Sequence, residues 1–433
     1  MRVELRGARV IVGDGSDFDE ASVFVDGDRI VSIGGDWTAD VTIDLEARTL
    51  APGFIDLHTH MVGGDNAIGH GDEATTFKMF DPLAKAVLDS VDAAWVTLQA
   101  GVTSAREIGA RDYIDVFLKK AQASRQIYGP RMLTTGPGIA MTGGHGNHWD
   151  TVGTADGVAE VVKRVRQLVA HGVDVIKVVS SDGPETLGRW WTVQSTPEEI
   201  GAAFAEARRL GRRTASHSMG GDAITNVVRA GVDTVEHGWY LSEESAHLMA
   251  DQGTWLVPTL GNVVDIIRKG PALEMPWATM MAQDEEAIFD RMRMAAEVGV
   301  RFAMGSDCGG NESRLHGCNL DEIPLYVRCG MSPLDAIQSA TLDAARAVRI
   351  DSLVGSIEVG KLADLVVLEG DPTADLSVLV TGVIGVVQGG EVVRDDLGLL
   401  EKWRRMTPPR TRTATAIGVD DSFANRPRPL LPV

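Results

Sequence analysis

The chain has 433 residues, of which 44% are hydrophobic, 41 are Lys or Arg and 61 are Asp or Glu, a net charge of −20. That length suits one large α/β domain with a small accessory domain, and the hydrophobic share is enough for a sizeable core. The acidic balance excludes binding along a nucleic-acid backbone, which needs clustered Lys and Arg, and leaves the choice of substrate open.

The first stretch, MRVELRGARVIVGDG, is interrupted by Arg2, Glu4, Arg6 and Arg9 and lacks the apolar centre of a signal peptide. No run of about 18 apolar residues suggests a membrane span. Short alternating strands follow, and VFVDGDRIV sets Asp-Gly between two apolar runs, a hairpin signal. The same texture returns in GSIEVGKLADLVVLEG and VTGVIGVVQGGEVV. Residues 1–53 and 351–396 are therefore expected to form one small β-sandwich domain from both chain ends. Residues 397–433 are expected to be an extension, and from Thr407 onward its Pro, Arg and Thr content reads as an extended tail.

Between those ends, over residues 54–350, short apolar strands alternate with segments of helical period such as VAEVVKRVRQLVAHG and PEEIGAAFAEARRLG. Several of these segments stop at Gly, as helices do. The eight strand candidates are FIDLHTH, VTSAREI, RMLTTGPG, VDVIKVVSS, RTASHSM, TVEHG, TWLVPTL and RFAMGSD. Eight such units predict a closed (β/α)8 TIM barrel, with an open doubly wound sheet as the rival.

In a parallel barrel the functional face lies at the carboxyl ends of the strands. The last polar residues of the candidates are His58 and His60 on the first, Lys177 on the fourth, His217 on the fifth, His237 on the sixth and Asp307 on the eighth. His58 and His60, two apart on a strand, share one face. Singly, each residue has a plain structural reading: hydrogen-bonded histidines, a surface lysine, an aspartate capping a turn. Jointly, at five strand ends, they predict one polar mouth. Neutral imidazole and carboxylate are good ligands for zinc and similar divalent ions. Protonated lysine is not a ligand, but a lysine that captures carbon dioxide becomes N6-carboxylysine, a carboxylate that can bridge two ions. Two ions about 3.5–4 Å apart share one hydroxide, lower its pKa and polarise a scissile carbonyl. Asp307 beside that hydroxide would take its proton and pass it to the leaving nitrogen.

On LAPGFIDLHTH, DVIKV, ASHS, VEHG and GSDCG the chain resembles the amidohydrolase superfamily. Within it the chain is similar to the binuclear branch that holds Xaa-Pro and Xaa-Arg dipeptidase-like enzymes and relatives of imidazolonepropionase. GSIEVGKLADLVVLEGDP and the loop GGHGNHW extend the resemblance over residues 1–395. It implies a metal-dependent hydrolase of amide-type C–N bonds with two divalent ions, zinc, per chain, acting on a small molecule as a homo-oligomer. His58, His60 and Asp307 would hold the more buried ion and His217 and His237 the more exposed one, with carboxylated Lys177 bridging. His145 and Tyr240 would contact or polarise the substrate carbonyl.

After Lys177 the chain reads VVSSDGPETLGRWW, where the branch often carries Thr-Gly-Gly, so the substrate stays open. A dipeptide, an N-acyl amino acid, or an aryl amide, carbamate or urea would each suit. In that loop Arg189 would bind a substrate carboxylate, and Trp190 and Trp191 would either stack a flat apolar group or pack the loop onto the barrel. Asn311, Glu312, Arg314 and His316 follow the eighth strand as further polar positions, and alternation points Cys308 away from the ions. The three cysteines, Cys308, Cys318 and Cys329, form no CxxC pair and suit a reducing, cytoplasmic setting without a disulfide framework. Two other readings remain at this level. One is a mononuclear deaminase or cyclic-amide hydrolase that needs no bridging lysine. The other is a non-catalytic scaffold that kept the barrel.

Overall fold

Strand alternation shapes the N-terminal segment. In the computed structural model, which describes residues 1–35, 37–62, 83–147, 151–183, 191–275 and 277–406, β1 (Arg2–Ile11) buries Val3, Leu5, Ala8 and Val10 and leaves Arg2, Glu4 and Arg6 more open. β1 pairs antiparallel with β2 (Asp17–Asp26), which turns through Gly27 at φ 60° into β3 (Arg29–Ile33). This is the Asp-Gly hairpin expected from the sequence. β4 (Val41–Asp44) and β5 (Thr49–Pro52) lie parallel to β1.

Gly53 separates β5 from the first barrel strand, β6 (Phe54–Thr59), and a Cβ there would collide with Thr103. The strands that follow are β7 (Val102–Glu107), β8 (Arg131–Leu133), β9 (Gly138–Ala140), β10 (Val152–Thr154), β11 (Val175–Val179), β12 (Arg213–Gly220), β13 (Thr234–Tyr240), β14 (Trp255–Val257) and β15 (Arg301–Phe302). Every pair among them is parallel. β6, β7 and β11 are buried along their whole length, as parallel strands covered on both faces must be.

The third candidate strand is broken. Its first half, β8, pairs with β7, and its second half, β9, pairs with β11. Gly136 at φ 59° and Pro137, which has no N–H to donate, stand at the break. Two seams close the ring. The Val175 N–H donates to the Thr134 carbonyl at 3.1 Å, and the Leu57 and Asp307 N–H groups bond across to Met304 at 2.9 Å and His58 at 2.8 Å.

Helices α1 (Leu83–Gln99), α2 (Ile114–Ala123), α3 (Val158–His171), α4 (Pro197–Arg209), α5 (Gly221–Arg229), α6 (Glu243–Gln252), α7 (Leu260–Lys269) and α8 (Ala278–Glu297) alternate with the strands. Local signals set their ends. Thr196 and Glu199 form a capping box at the start of α4, and Gly172 at φ 95° stops α3. Among the described residues no helix is long and apolar enough to cross a membrane.

The chain then returns to the small domain through β16 (Leu365–Leu368), β17 (Val383–Gln388) and β18 (Glu391–Asp395), which extend the sheet from β5. A bridge between Arg29 and Leu362 brings the far edge of this eight-stranded sheet back toward β16. The sheet thereby wraps a core that includes Val3, Val23, Ile30, Leu365 and Val387. Where the sequence suggests an extension, Leu400 and Trp403 also enter this core, Trp403 on the helix Glu401–Met406. The Pro-rich tail from Thr407 lies outside the described residues.

Candidate active site

The carboxyl ends of β6, β11, β12, β13 and the segment after β15 open onto one cavity of about 830 Å³, whose lining includes His58, His60, Lys177, His217, His237 and Asp307. The structure thus brings together all six strand-end residues. The ring centroids of His58 and His60 lie 5.2 Å apart, those of His58 and His237 4.9 Å, and those of His217 and His237 4.7 Å. Asp307 Oδ1 is 3.4 Å from His58 Nε2 and 3.3 Å from His60 Nε2. One ligand atom each from His58, His237 and Asp307 lie within 4.8 Å of one another, a spacing that one cation can span.

Two of these side chains are aimed by unusual backbone. His237 has φ 70° and Asp307 has φ 59°, the left-handed region where a residue with a Cβ carries about 1–3 kcal/mol of strain. Simple alternation would send Glu236 and His237 to opposite faces of β13. With His237 in the left-handed region, its ring lines the cavity while Glu236 meets His58 Nδ1.

Burial sets the protonation states. It pushes the His58, His217 and His237 imidazoles well below their ordinary range, which keeps them neutral with a lone pair to offer. For Asp307, burial alone would raise the carboxyl, but His58, His60 and Asn262 outweigh it and hold the group below the usual carboxylate range. Burial also lowers the Lys177 amine to about 8, and Lys177 forms no ion pair among the described residues.

A second layer of contacts holds these groups in place. His58 Nδ1 sits 2.9 Å from the buried Glu236 carboxylate, which leaves the His58 Nε2 lone pair toward the cavity. Glu236 in turn accepts two bonds from Arg106 Nη2 at 2.8 Å each. The His217 Nε2–H donates to the Asp182 carbonyl at 3.2 Å, so the lone pair of that ring lies on Nδ1. His237 Nδ1 meets the Thr259 hydroxyl at 2.8 Å. Asn262 donates to Asp307 Oδ2 at 2.5 Å and accepts from Asn311 at 2.6 Å. Sequence reasoning missed Glu236, Arg106, Thr259 and Asn262. The one local signal was a pair of charged residues, Arg106 and Glu236, inside otherwise apolar strands.

The remaining sequence candidates fall into three groups. His145 lines the cavity, its ring stacked on His217 at 4.3 Å. Asn311 also lines it. Tyr240, by contrast, turns its hydroxyl to Asp284 of α8 at 2.8 Å, and burial with that contact pushes its phenol up. Trp191 is 47% exposed and lies edge-on to the Tyr240 ring at 5.3 Å. Arg189 and Trp190 lie outside the described residues. Arg314 is buried and bonded to Asp265 at 2.9 Å and Asp321 at 2.5 Å, and His316 bridges Thr97 and the His60 carbonyl at 3.0 and 3.2 Å. Both are structural ties of the last loop, where Glu312 is half-buried. Cys308 points away from the cavity and meets Cys318, Sγ to Sγ, at 3.8 Å.

A (β/α)8 barrel whose mouth gathers four histidines, a lysine and an aspartate from five strand ends defines a class of hydrolytic barrel proteins. A profile of the Amidohydrolase family matches residues 49–393, and the chain belongs to that family, whose members are hydrolases acting on C–N bonds. Ochratoxinase of Aspergillus niger is 28% identical over 425 residues, covering 89% of this chain and 85% of that enzyme. A crystal structure of a Xaa-Pro dipeptidase with methionine bound in its active site is 29% identical, with a TM-score of 0.81 over 91% of this chain and 100% of that one. A prolidase complexed with N-methylphosphonate-L-proline is 28% identical, with a TM-score of 0.82 over 91% and 100%.

Proposed function

We propose that this protein is a binuclear metal-dependent amidohydrolase that cleaves an amide-type C–N bond of a small molecule. The observation that carries the reading is the convergence of His58, His237 and Asp307 ligand atoms within 4.8 Å beside a buried Lys177 that has no ion-pair partner among the described residues. A donor set of neutral imidazoles and a carboxylate fits zinc and related divalent ions. His58, His60 and Asp307 would hold one ion and His217 and His237 the other.

A buried lysine with no ion-pair partner among the described residues is hard to explain as an ammonium. With its value lowered to about 8, a sizeable fraction of the amine is neutral near pH 7.5 and can add to carbon dioxide. The carbamate formed on Lys177 would place a carboxylate-like group among His58, His217, His237 and Asp307, where it could serve as a further ligand to the ions. When bound, the ions make a water nucleophilic at neutral pH and polarise the scissile carbonyl. The chain's own groups do the rest. Asp307, ionised and steadied by Asn262, takes the proton of the attacking water and hands it to the leaving nitrogen. His145, stacked on His217, donates toward the carbonyl oxygen as charge builds there.

The walls beside the polar cluster include Ile108, Val152, Met219, Trp239 and Ile266. Such a wall favours a substrate with an apolar group next to the scissile bond. The names of the relatives, a dipeptidase, a prolidase and an ochratoxinase, agree with dipeptides and N-acylated amino acids as the first compounds to try. Aryl amides, carbamates and ureas complete the panel.

Elemental analysis of the purified protein is expected to give about two divalent ions per chain. Lys177→Ala is expected to hold one ion or fewer and to lose more than about 100-fold in turnover, beyond what loss of an outer partner of a ligand causes. Two ions and wild-type turnover in Lys177→Ala would remove the bridging role. One ion per chain in the wild type would favour mononuclear chemistry instead.

A further inference from the structure

Away from the cavity, the last barrel loop holds a second reactive arrangement. Cys308 and Cys318 face each other with their sulfurs 3.8 Å apart. Both are free thiols. Their surroundings differ. Cys308 is buried and fixed: its N–H donates to Ser306 Oγ at 3.1 Å and its carbonyl accepts from the His60 N–H at 2.8 Å. Cys318 is half-buried and lines a separate cleft of about 370 Å³, open to solvent, between this loop and the small domain. Gly317, Val380, Thr381 and Arg394 share that cleft.

We infer that Cys308 and Cys318 form a thiol–disulfide exchange site, with Cys318 as the attacking thiol, Cys308 as the resolving thiol and a low-molecular-weight disulfide of the glutathione type as the oxidant. The Cys318 thiolate attacks one sulfur of the small disulfide, breaking its S–S bond and releasing one small thiol. The Cys308 thiolate then attacks Cys318 Sγ in the mixed disulfide and expels the second small thiol. Two protein thiols become one disulfide, and one small disulfide becomes two thiols, a balanced two-electron exchange.

Geometry sets the order of attack, because the cleft reaches Cys318 and not the buried Cys308. It also permits the second step. A disulfide bond is about 2.05 Å long, so the sulfurs, now 3.8 Å apart, must close by roughly 1.8 Å. The product ties together the two ends of the 308–318 loop. That loop carries Asn311 into the cavity wall, where Asn311 bonds Asn262 and Asn262 bonds Asp307.

The test uses the full chain and glutathione disulfide. Peptide mapping by mass spectrometry of the folded wild type is expected to find a Cys308–Cys318 disulfide, with free thiols falling from three per chain to one and returning on treatment with dithiothreitol. Cys308→Ala is expected to stop at a glutathione adduct on Cys318, and Cys318→Ser to take up no glutathione while folded, as judged by its circular dichroism. Persistence of all three thiols in the folded wild type overturns the inference. So does accumulation of a stable adduct on wild-type Cys318 without closure to Cys308, or a disulfide that instead engages Cys329.

Discussion

The Glu236 carboxylate lies 2.9 Å from His58 Nδ1 and accepts two bonds from Arg106 at 2.8 Å, with all three side chains buried. Arg106 also donates to the Leu57 carbonyl at 2.6 Å and to the Thr234 hydroxyl at 2.9 Å, so its charge has one carboxylate partner and several dipoles. Glu236→Gln preserves volume but removes that charge. The amide can still accept from Arg106 through its oxygen, and its NH2 group then faces His58 Nδ1. That forces the His58 proton onto Nε2, the nitrogen that otherwise offers its lone pair to the cavity. Divalent-ion affinity is expected to fall about 10–100-fold, the range for an outer partner of a ligating histidine. Stability is expected to drop by up to about 3–5 kcal/mol, because a buried guanidinium loses its counterion. Chelator competition measures the first effect and urea unfolding the second. A folded Glu236→Gln protein that binds zinc as tightly as the wild type would show that Glu236 does not set the His58 tautomer.

At the level of elements, the loops after the strands do as much as the strands. β14 presents no metal-type side chain, yet the turn between it and α7 supports two of the candidate ligand residues, His237 and Asp307. Thr259, at φ 51°, bonds His237, and Asn262 in the first turn of α7 bonds Asp307. The N–H groups of Leu260 and Gly261 at this helix start donate to the buried Glu322 carboxylate at 2.8 and 2.5 Å, which fixes the turn. The loop after β11 works by proximity instead. Gly183 passes so close to the His145 ring that a Cβ there would overlap it. Gly183→Ala is therefore expected to push His145 off its stack on His217. Loss of about 10–100-fold in kcat/KM is the expected scale for a catalytic group displaced by about 1 Å, with metal content near the wild-type value. Unchanged turnover at wild-type metal content would release His145 from any part in polarising the substrate.

For the whole molecule, the two domains divide the work between opposite ends of the barrel. The small sheet joins the barrel where the strands begin, through the Arg131–Asp364 ion pair and through Gln388, whose amide bonds the Thr103 and Gly129 carbonyls at 2.9 and 3.1 Å. The cavity lies at the other ends of the strands. Much of this plan was legible in the chain. Eight buried apolar runs separated by helix-period segments carry the barrel, and each of the six strand-end residues announces itself as a polar group closing an apolar run. Less legible was the break at Gly136 and Pro137, which splits one predicted strand between two neighbours. The Glu236–Arg106 pair was hidden because its members stand 130 residues apart and meet only when the barrel closes. Tyr240 was singled out by resemblance alone, and nothing local foretold its bond to Asp284, 44 residues on.

Because the proposed ligand groups come from strands spread around the ring, ions bound there would hold the barrel closed, and the unfolded chain has no comparable site. Free ion at about 1,000 times its dissociation constant then adds about 4 kcal/mol to folding stability. Protein stripped with a chelator is expected to melt several degrees lower than the loaded form and to regain the difference when zinc is restored. In the stripped protein Lys177 would stand as a plain amine. Its folded value is lowered from 10.5 to about 8, so between those pH values the unfolded chain binds the extra proton and the folded chain does not. Stability of the stripped protein is therefore expected to rise with pH from about 8, and the same lysine is destabilising below it. Lys177→Met, which removes the titrating amine, is expected to flatten that rise. Thermal melts of loaded, stripped and Lys177→Met protein across pH 7–9.5 distinguish the cases. Equal melting temperatures for loaded and stripped wild type, with the loss of ions verified by elemental analysis, would mean that the ions do not brace the barrel.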